Sequence, residues 1–148
     1  MHVSDAIAIG RAPEVVFGWI ADPERARRWQ PDVTGYEVTN ETADLVGTEF
    51  REWLGRGRGS VEMRGRVAAC VPNEQIAFDL DGGGISVASR YHLAPTADGT
   101  NVAVDVDIRL PGRLTFLLEP LVRRRVRRQM RGELETLRRL CEAEAPPT

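Results

Sequence analysis

The stretch VRRRVRRQMRGELETLRRLC, residues 122–141, decides how the rest of the chain is read. Its apolar members Val122, Val126, Met130, Leu134, Leu137 and Cys141 recur in steps of three and four. That spacing lines them along one face of an α-helix, with arginine and glutamate filling the remainder. Such a stripe needs a surface on which to be buried. Upstream the period changes, because residues 33 to 109 alternate apolar and polar in runs separated by glycine, proline and asparagine, the pattern of β-strands and tight turns. The architecture predicted is α+β, one long helix covering one curved antiparallel sheet, with a cavity between the two layers.

Outward from the helix, strands are predicted over 33–40, 47–54, 60–71, 74–81, 84–93 and 100–109. The turns between them fall at Gly55-Arg56-Gly57-Arg58-Gly59, Pro72-Asn73, Asp81-Gly82-Gly83-Gly84 and Asp98-Gly99. Connections this short join antiparallel neighbours, since parallel strands need crossover helices. Residues 3–9 supply a seventh strand, with Val3, Ile7 and Ile9 on one face. Pro13 suits the first turn of a short helix carrying Val15, Val16, Trp19 and Ile20. Asp22-Pro23 ends that helix and starts a second, which runs to Trp29 and is closed by Pro31. Pro111-Gly112 opens the terminal helical region, where Pro120 is expected to kink or restart the helix. The main helix is therefore predicted from about Pro120 to Glu142, with residues 144–148 fraying.

A chain of 148 residues fits one domain, 1–148, with a core that needs no staples. No apolar run approaches the roughly 20 residues that span a bilayer, and the start lacks a basic region followed by an apolar one, so a cytoplasmic location is expected. Cys70 and Cys141 are expected to be buried free thiols, a disulfide between them being the alternative. Without Cys-x-x-Cys or clustered histidine, no metal and no cofactor is expected. The net charge of −2 offers no field to recruit nucleic acid. All twenty basic residues are arginine, which removes lysine Schiff-base chemistry and P-loop phosphate binding. The glycine clusters lie between strands, so they read as hairpin turns and not as dinucleotide loops.

Polar residues that interrupt an apolar strand face are the candidate site residues, because a buried polar group is costly unless satisfied. Asp5 shares the register of Val3 and Ile7. Glu52 lies between Phe50 and Leu54, and Ser89 and Tyr91 fall in the row of Ile85, Val87 and Leu93. The bland alternative places Asp5 and Glu52 near strand ends in solvent, or pairs them with arginine. The expected cavity lining is Phe50, Glu52, Ser89 and Tyr91 from the sheet, Trp29 from the end of the second short helix, and Val126, Gln129 and Met130 from the long helix; Arg125 also flanks the stripe. Tyr91 and Glu52 are the candidates for any proton transfer. Trp29 and Trp53 are placed near opposite sides of the cavity mouth, although Trp53 alternates with Glu52, and Trp19 is assigned to the core. His92 alternates with Tyr91 and is expected to point outward. Arg123, Arg124, Arg125, Arg127, Arg128 and Arg131 are read as a solvated helix face balanced by nearby glutamates, with contact to an anionic membrane surface left open.

Several segments have a familiar order. Ala12-Pro13-Glu14-Val15-Val16, Asp22-Pro23-Glu24-Arg25, Trp29-Gln30-Pro31, Gly47-Thr48-Glu49-Phe50-Arg51-Glu52, Gly99-Thr100-Asn101-Val102 and Leu134-Glu135-Thr136-Leu137-Arg138 resemble bacterial members of the SRPBCC superfamily, which includes START-like lipid-transfer domains and the polyketide cyclase and dehydratase family. The resemblance covers nearly the whole chain. It implies a helix-grip fold, in which a seven-stranded antiparallel sheet wraps around a long carboxy-terminal helix and two short helices follow the first strand. It further implies a cavity for a small, mostly apolar molecule such as a lipid, polyketide or aromatic metabolite, or, alternatively, a cyclase or dehydratase using the same cavity. Ligand identity stays open, as does the choice between monomer and homodimer.

Overall fold

The computed structural model describes residues 1–55, 59–112 and 115–144. Strand β1 (His2–Ile9) is followed by helices α1 (Pro13–Ala21) and α2 (Pro23–Trp29). Strands β2 (Val33–Asn40), β3 (Glu49–Leu54), β4 (Val61–Val71), β5 (Gln75–Gly82), β6 (Ile85–Thr96) and β7 (Gly99–Arg109) come next, and α3 (Thr115–Ala143) closes the chain. The seven strands form one antiparallel sheet in the order β1-β7-β6-β5-β4-β3-β2. Six of them therefore form a meander, and β1 returns to pair with the last. The helix-grip architecture and the α+β class are as the residues and the resemblance indicated.

Local chemistry explains the turns. Gly82 pairs with Ile85, and both residues between them have positive φ, 58° at Gly83 and 80° at Gly84, the backbone of a type I′ hairpin that favours glycine. Asn73 occupies the left-handed region between β4 and β5. A register shift between Val67 and Ala69 bends β4. Of the predicted Gly55–Gly59 turn, residues 56–58 lie outside the described residues, as does the predicted tail beyond Glu144.

The core joins Val3, Ile7 and Ile9 of β1, Val16, Trp19 and Ile20 of α1, and Val102 and Val104 of β7 to Met130, Leu134, Leu137 and Cys141 of α3. Arg11 holds the carboxy-terminal end of α3, its guanidinium donating to the carbonyls of Cys141, at 3.0 Å, and of Glu144. This arrangement satisfies last-turn acceptors that the helix itself leaves unpaired. Cys70 and Cys141 are free, Cys141 buried and Cys70 only half-buried.

Two expectations about α3 are corrected. The helix begins at Thr115 and continues through Pro120 without a break. Proline deletes a single ladder bond there, near the start of the helix and among solvent-exposed residues, where the loss is tolerated. The stripe is also not buried uniformly: Val122 and Val126 are only half-buried, and full burial starts at Met130. Phe116, Leu117, Leu118 and Leu121, in the turns before the stripe, are exposed.

Candidate functional site

The cleft lies on the concave side of the sheet under α1 and α2. Pro13 and Pro23 each occupy a first helical turn, and the Asp22 side chain caps α2 by accepting from the Glu24 N–H at 3.0 Å. The Trp29 indole N–H donates to the Trp19 carbonyl at 3.0 Å, which fixes one short helix against the other. The resulting V leaves about 510 Å³ of unfilled space, the part open to solvent included. Within it about 80 Å³ is accessible to the centre of a water molecule, several times the roughly 10–15 Å³ that one water needs.

Strand alternation and sheet curvature line this space with aromatic rings. Tyr36 stacks on Phe50 at 5.1 Å between centroids. Phe50 meets Phe78 edge-on at 6.2 Å, Phe78 meets Tyr91 at 6.3 Å, and Tyr91 meets Trp29 at 6.1 Å. All these separations lie in the range of favourable aromatic pairs. The five rings form one continuous wall from β2 across the sheet to α2. Gly65 on β4, directly opposite Phe50, leaves room for that ring, since a Cβ there would lie 2.4 Å from it.

Polar groups converge against this wall. Glu52 on β3 sits opposite Tyr36 and Met63, and burial pushes its carboxyl from 4.5 up to about 7. Burial also raises the Tyr36 phenol to about 12, with the Glu52 charge adding to the effect. Tyr91 is raised further by burial, then by Glu133 and Glu52, against a hydrogen bond from the Gln30 side chain. Glu133 of α3 does not line the cleft but belongs to the same electrostatic group. Burial lifts its carboxyl to about 7, opposed by its hydrogen bond from Gln129 at 3.1 Å and reinforced by the charges of Asp32 and Glu52. Two carboxylates held near neutrality are matched to proton exchange at pH 7.

The same shifts set a pH dependence of stability. A carboxyl whose folded pKa lies above its unfolded value favours folding in its protonated form. Its contribution is fully present below about 4.5 and is lost as pH rises through about 7. Glu52→Gln is accordingly expected to raise stability at pH 8 by about 1 to 3 kcal/mol and to flatten the decline between pH 5 and pH 8, as read by urea denaturation at each pH.

Of the residues expected in the cavity, Trp29, Phe50, Glu52, Ser89 and Tyr91 line the cleft. Val126, Gln129 and Met130 do not. Met130 and Val126 are packed into or against the core, while Gln129 is exposed on the outer surface of α3, where it bonds Glu133. The roof is formed by α1 and α2, through Ile20, Ala21, Pro23, Ala26, Trp29 and Gln30, because the apolar stripe of α3 is consumed against β1 and the rest of the core. Trp53 covers Gly35 and is absent from the cleft lining, as its alternation with Glu52 requires. Asp5 pairs with Arg131 at 3.5 Å. His92 is exposed, and Arg125 borders a separate surface groove. Tyr36, Phe78, Gln30 and Glu133 are members of the site that the sequence pattern does not single out. Among the described residues no arginine lines the cleft, and no group of three or more metal-binding side chains occurs.

A helix-roofed cleft on a seven-stranded sheet has clear relatives. Residues 1–142 match the family described as polyketide cyclase / dehydrase and lipid transport. The chain belongs to this family. As a family member it falls within the SRPBCC superfamily, and its solved neighbours share the fold. A protein from Thermus thermophilus superposes with a TM-score of 0.80 at 18% identity, over 99% of this chain and 100% of that one. A START superfamily protein from Mycobacterium smegmatis gives 0.77 at 20% identity, over 95% of this chain and 97% of that one. Ara h 8.0201 gives 0.74 at 13% identity, over 97% and 99%. No curated protein matches the chain. At these identities the likeness is one of fold.

Proposed function

We propose that this family member binds a small, mostly apolar molecule with a flat or aromatic portion in the cleft beneath α1 and α2. The observation that carries this reading is the continuous wall of Tyr36, Phe50, Phe78, Tyr91 and Trp29 with the Glu52 carboxyl set into it. Burial of apolar ligand surface supplies affinity at roughly 25 cal/mol per Å². Glu52, Ser89 and the Tyr91 hydroxyl supply orientation. A lipid, a polyketide and an aromatic metabolite all meet this description, and both the fold and the family agree with it.

The second reading is a polyketide cyclase-type reaction in the same cleft. It is favoured by Glu52 and Glu133, two carboxyls poised near neutrality whose charges both act on Tyr91. The carrier reading is preferred because the described lining supplies no arginine to hold enolate charge.

The test is titration of phenylnaphthylamine, a neutral fluorescent probe, into the wild type, Tyr91→Phe, Glu52→Gln and His92→Ala. The first two variants preserve shape and remove a hydrogen-bonding or charged group. Each is expected to weaken binding by about 0.5 to 1.5 kcal/mol if a neutral hydrogen bond to the probe's amine is lost, and by up to about 3 if a charge takes part. His92→Ala is expected to be silent. Unchanged affinity in the first two with a large loss in the third would place the ligand on the opposite face of the sheet and overturn the proposal.

A further inference from the structure

The exposed start of α3 carries a feature that the cleft does not use. Phe116, Leu117, Leu118 and Leu121 are 68%, 63%, 54% and 68% exposed. Leu117, Leu121, Arg124 and Arg128 follow one another at steps of four, three and four, so they share one helix face. That face lies opposite Met130, Leu134 and Leu137, which are buried. An apolar patch at the start of the helix thus runs directly into a row of guanidinium groups.

The charge is segregated as well. Residues 119–131 hold six arginines against the single acid Glu119, in a chain whose net charge is −2. Arg123 is neutralised by Glu119 at 2.8 Å, and Arg131 by Glu135 at 3.4 Å and Asp5 at 3.5 Å. Arg124, Arg125, Arg127 and Arg128 have no acidic partner among the described residues. A shallow groove joins Leu121, Arg124, Arg125, Arg128 and Gln129 to Asp32, which lies between α2 and β2 and whose charge is felt by Glu133.

We propose that this face docks the protein on an anionic lipid bilayer. Leu117 and Leu121 enter the headgroup boundary, and the unpaired arginines hold lipid phosphates through forked hydrogen bonds. A second copy of the chain is a poor occupant, because a two-fold contact would bury Arg124 and Arg128 without an acidic partner, either against each other or against the other copy's leucines. Nucleic acid would engage the arginines but has no use for the exposed leucines on a phosphodiester backbone. An anionic membrane satisfies both halves of the face, and docking there is independent of what the cleft binds.

Co-sedimentation of the full chain with phosphatidylcholine vesicles, with and without phosphatidylglycerol, tests the proposal. Wild type is expected to sediment with the anionic vesicles and not with phosphatidylcholine alone, with binding weakened by added salt. Arg124→Gln with Arg128→Gln is expected to lower partitioning roughly fivefold for each arginine removed. Leu117→Gln with Leu121→Gln is expected to lower it about tenfold or more. All four positions are exposed, so circular dichroism should show an unchanged fold. The proposal is overturned by wild type that ignores anionic vesicles, or by binding that both double variants retain. Light scattering that finds a dimer dissolved by the leucine substitutions would overturn it too, as would duplex DNA binding that is lost in the arginine variant and kept in the leucine variant.

Discussion

Replacing Leu134 by alanine is expected to destabilise the protein by about 2 to 5 kcal/mol, the range for removing buried aliphatic bulk. Leu134 is 1% exposed at the centre of the α3 stripe, in one cluster with Val3 and Ile7 of β1 and Leu137 and Cys141 of its own helix. The neighbouring backbone belongs to a long helix and a paired strand, which cannot collapse readily into the space left behind. Chemical denaturation measures the loss, and a shift below about 1 kcal/mol would show that the stripe does not hold helix to sheet. Leu121→Ala is the matched control. With Leu121 at 68% exposure, its stability is expected to change by no more than about 0.5 kcal/mol.

Gly65→Val is expected to damage both stability and binding. A Cβ at this position would lie 2.4 Å from Cε2 and Cζ of Phe50, a distance that carbon atoms do not tolerate. The Phe50 ring must rotate or shift, and Phe50 is only 4% exposed, stacked on Tyr36 and edge-on to Phe78. Overpacking of this kind costs about 1 to 3 kcal/mol. The displaced ring would then break the aromatic wall, and phenylnaphthylamine affinity is expected to fall by about tenfold or more, the equivalent of roughly 1.4 kcal/mol. Thermal melts and probe titration on the same sample check both effects. Wild-type affinity in a variant that has lost stability would mean that the ring wall is structural only.

The elements that could be read from the sequence are those set by local chemistry. Strand periods, the Gly83-Gly84 turn and the paired starts at Pro13 and Pro23 need only neighbours a few residues away. Glu52, Ser89 and Tyr91 could be read for the same reason, since each breaks an apolar row on its own strand. The placement of α3 could not. Val126 and Met130 carry the same stripe as Leu134, and only the docking of the helix on β1 consumes them in the core and leaves the roof of the cleft to α1 and α2. Tyr36 and Phe78 join the wall because the curved sheet brings β2, β3, β5 and β6 around one space, a long-range property that no single strand displays. Glu133 has the local pattern of one more solvated acid in an arginine-rich helix. Its raised pKa depends on burial, and then on Asp32 and Glu52 from distant parts of the chain.

Occupation of the cleft under α1 and α2 by a ligand is the central claim. Amide chemical-shift mapping by NMR during titration with phenylnaphthylamine tests it most directly. The expected result is saturable shifts concentrated at Trp29, Gln30, Tyr36, Phe50, Glu52, Ser89 and Tyr91, with His92 and the exposed face of α3 unmoved. Shifts confined to Leu117, Leu121 and the neighbouring arginines, or none at any probe concentration, would contradict it.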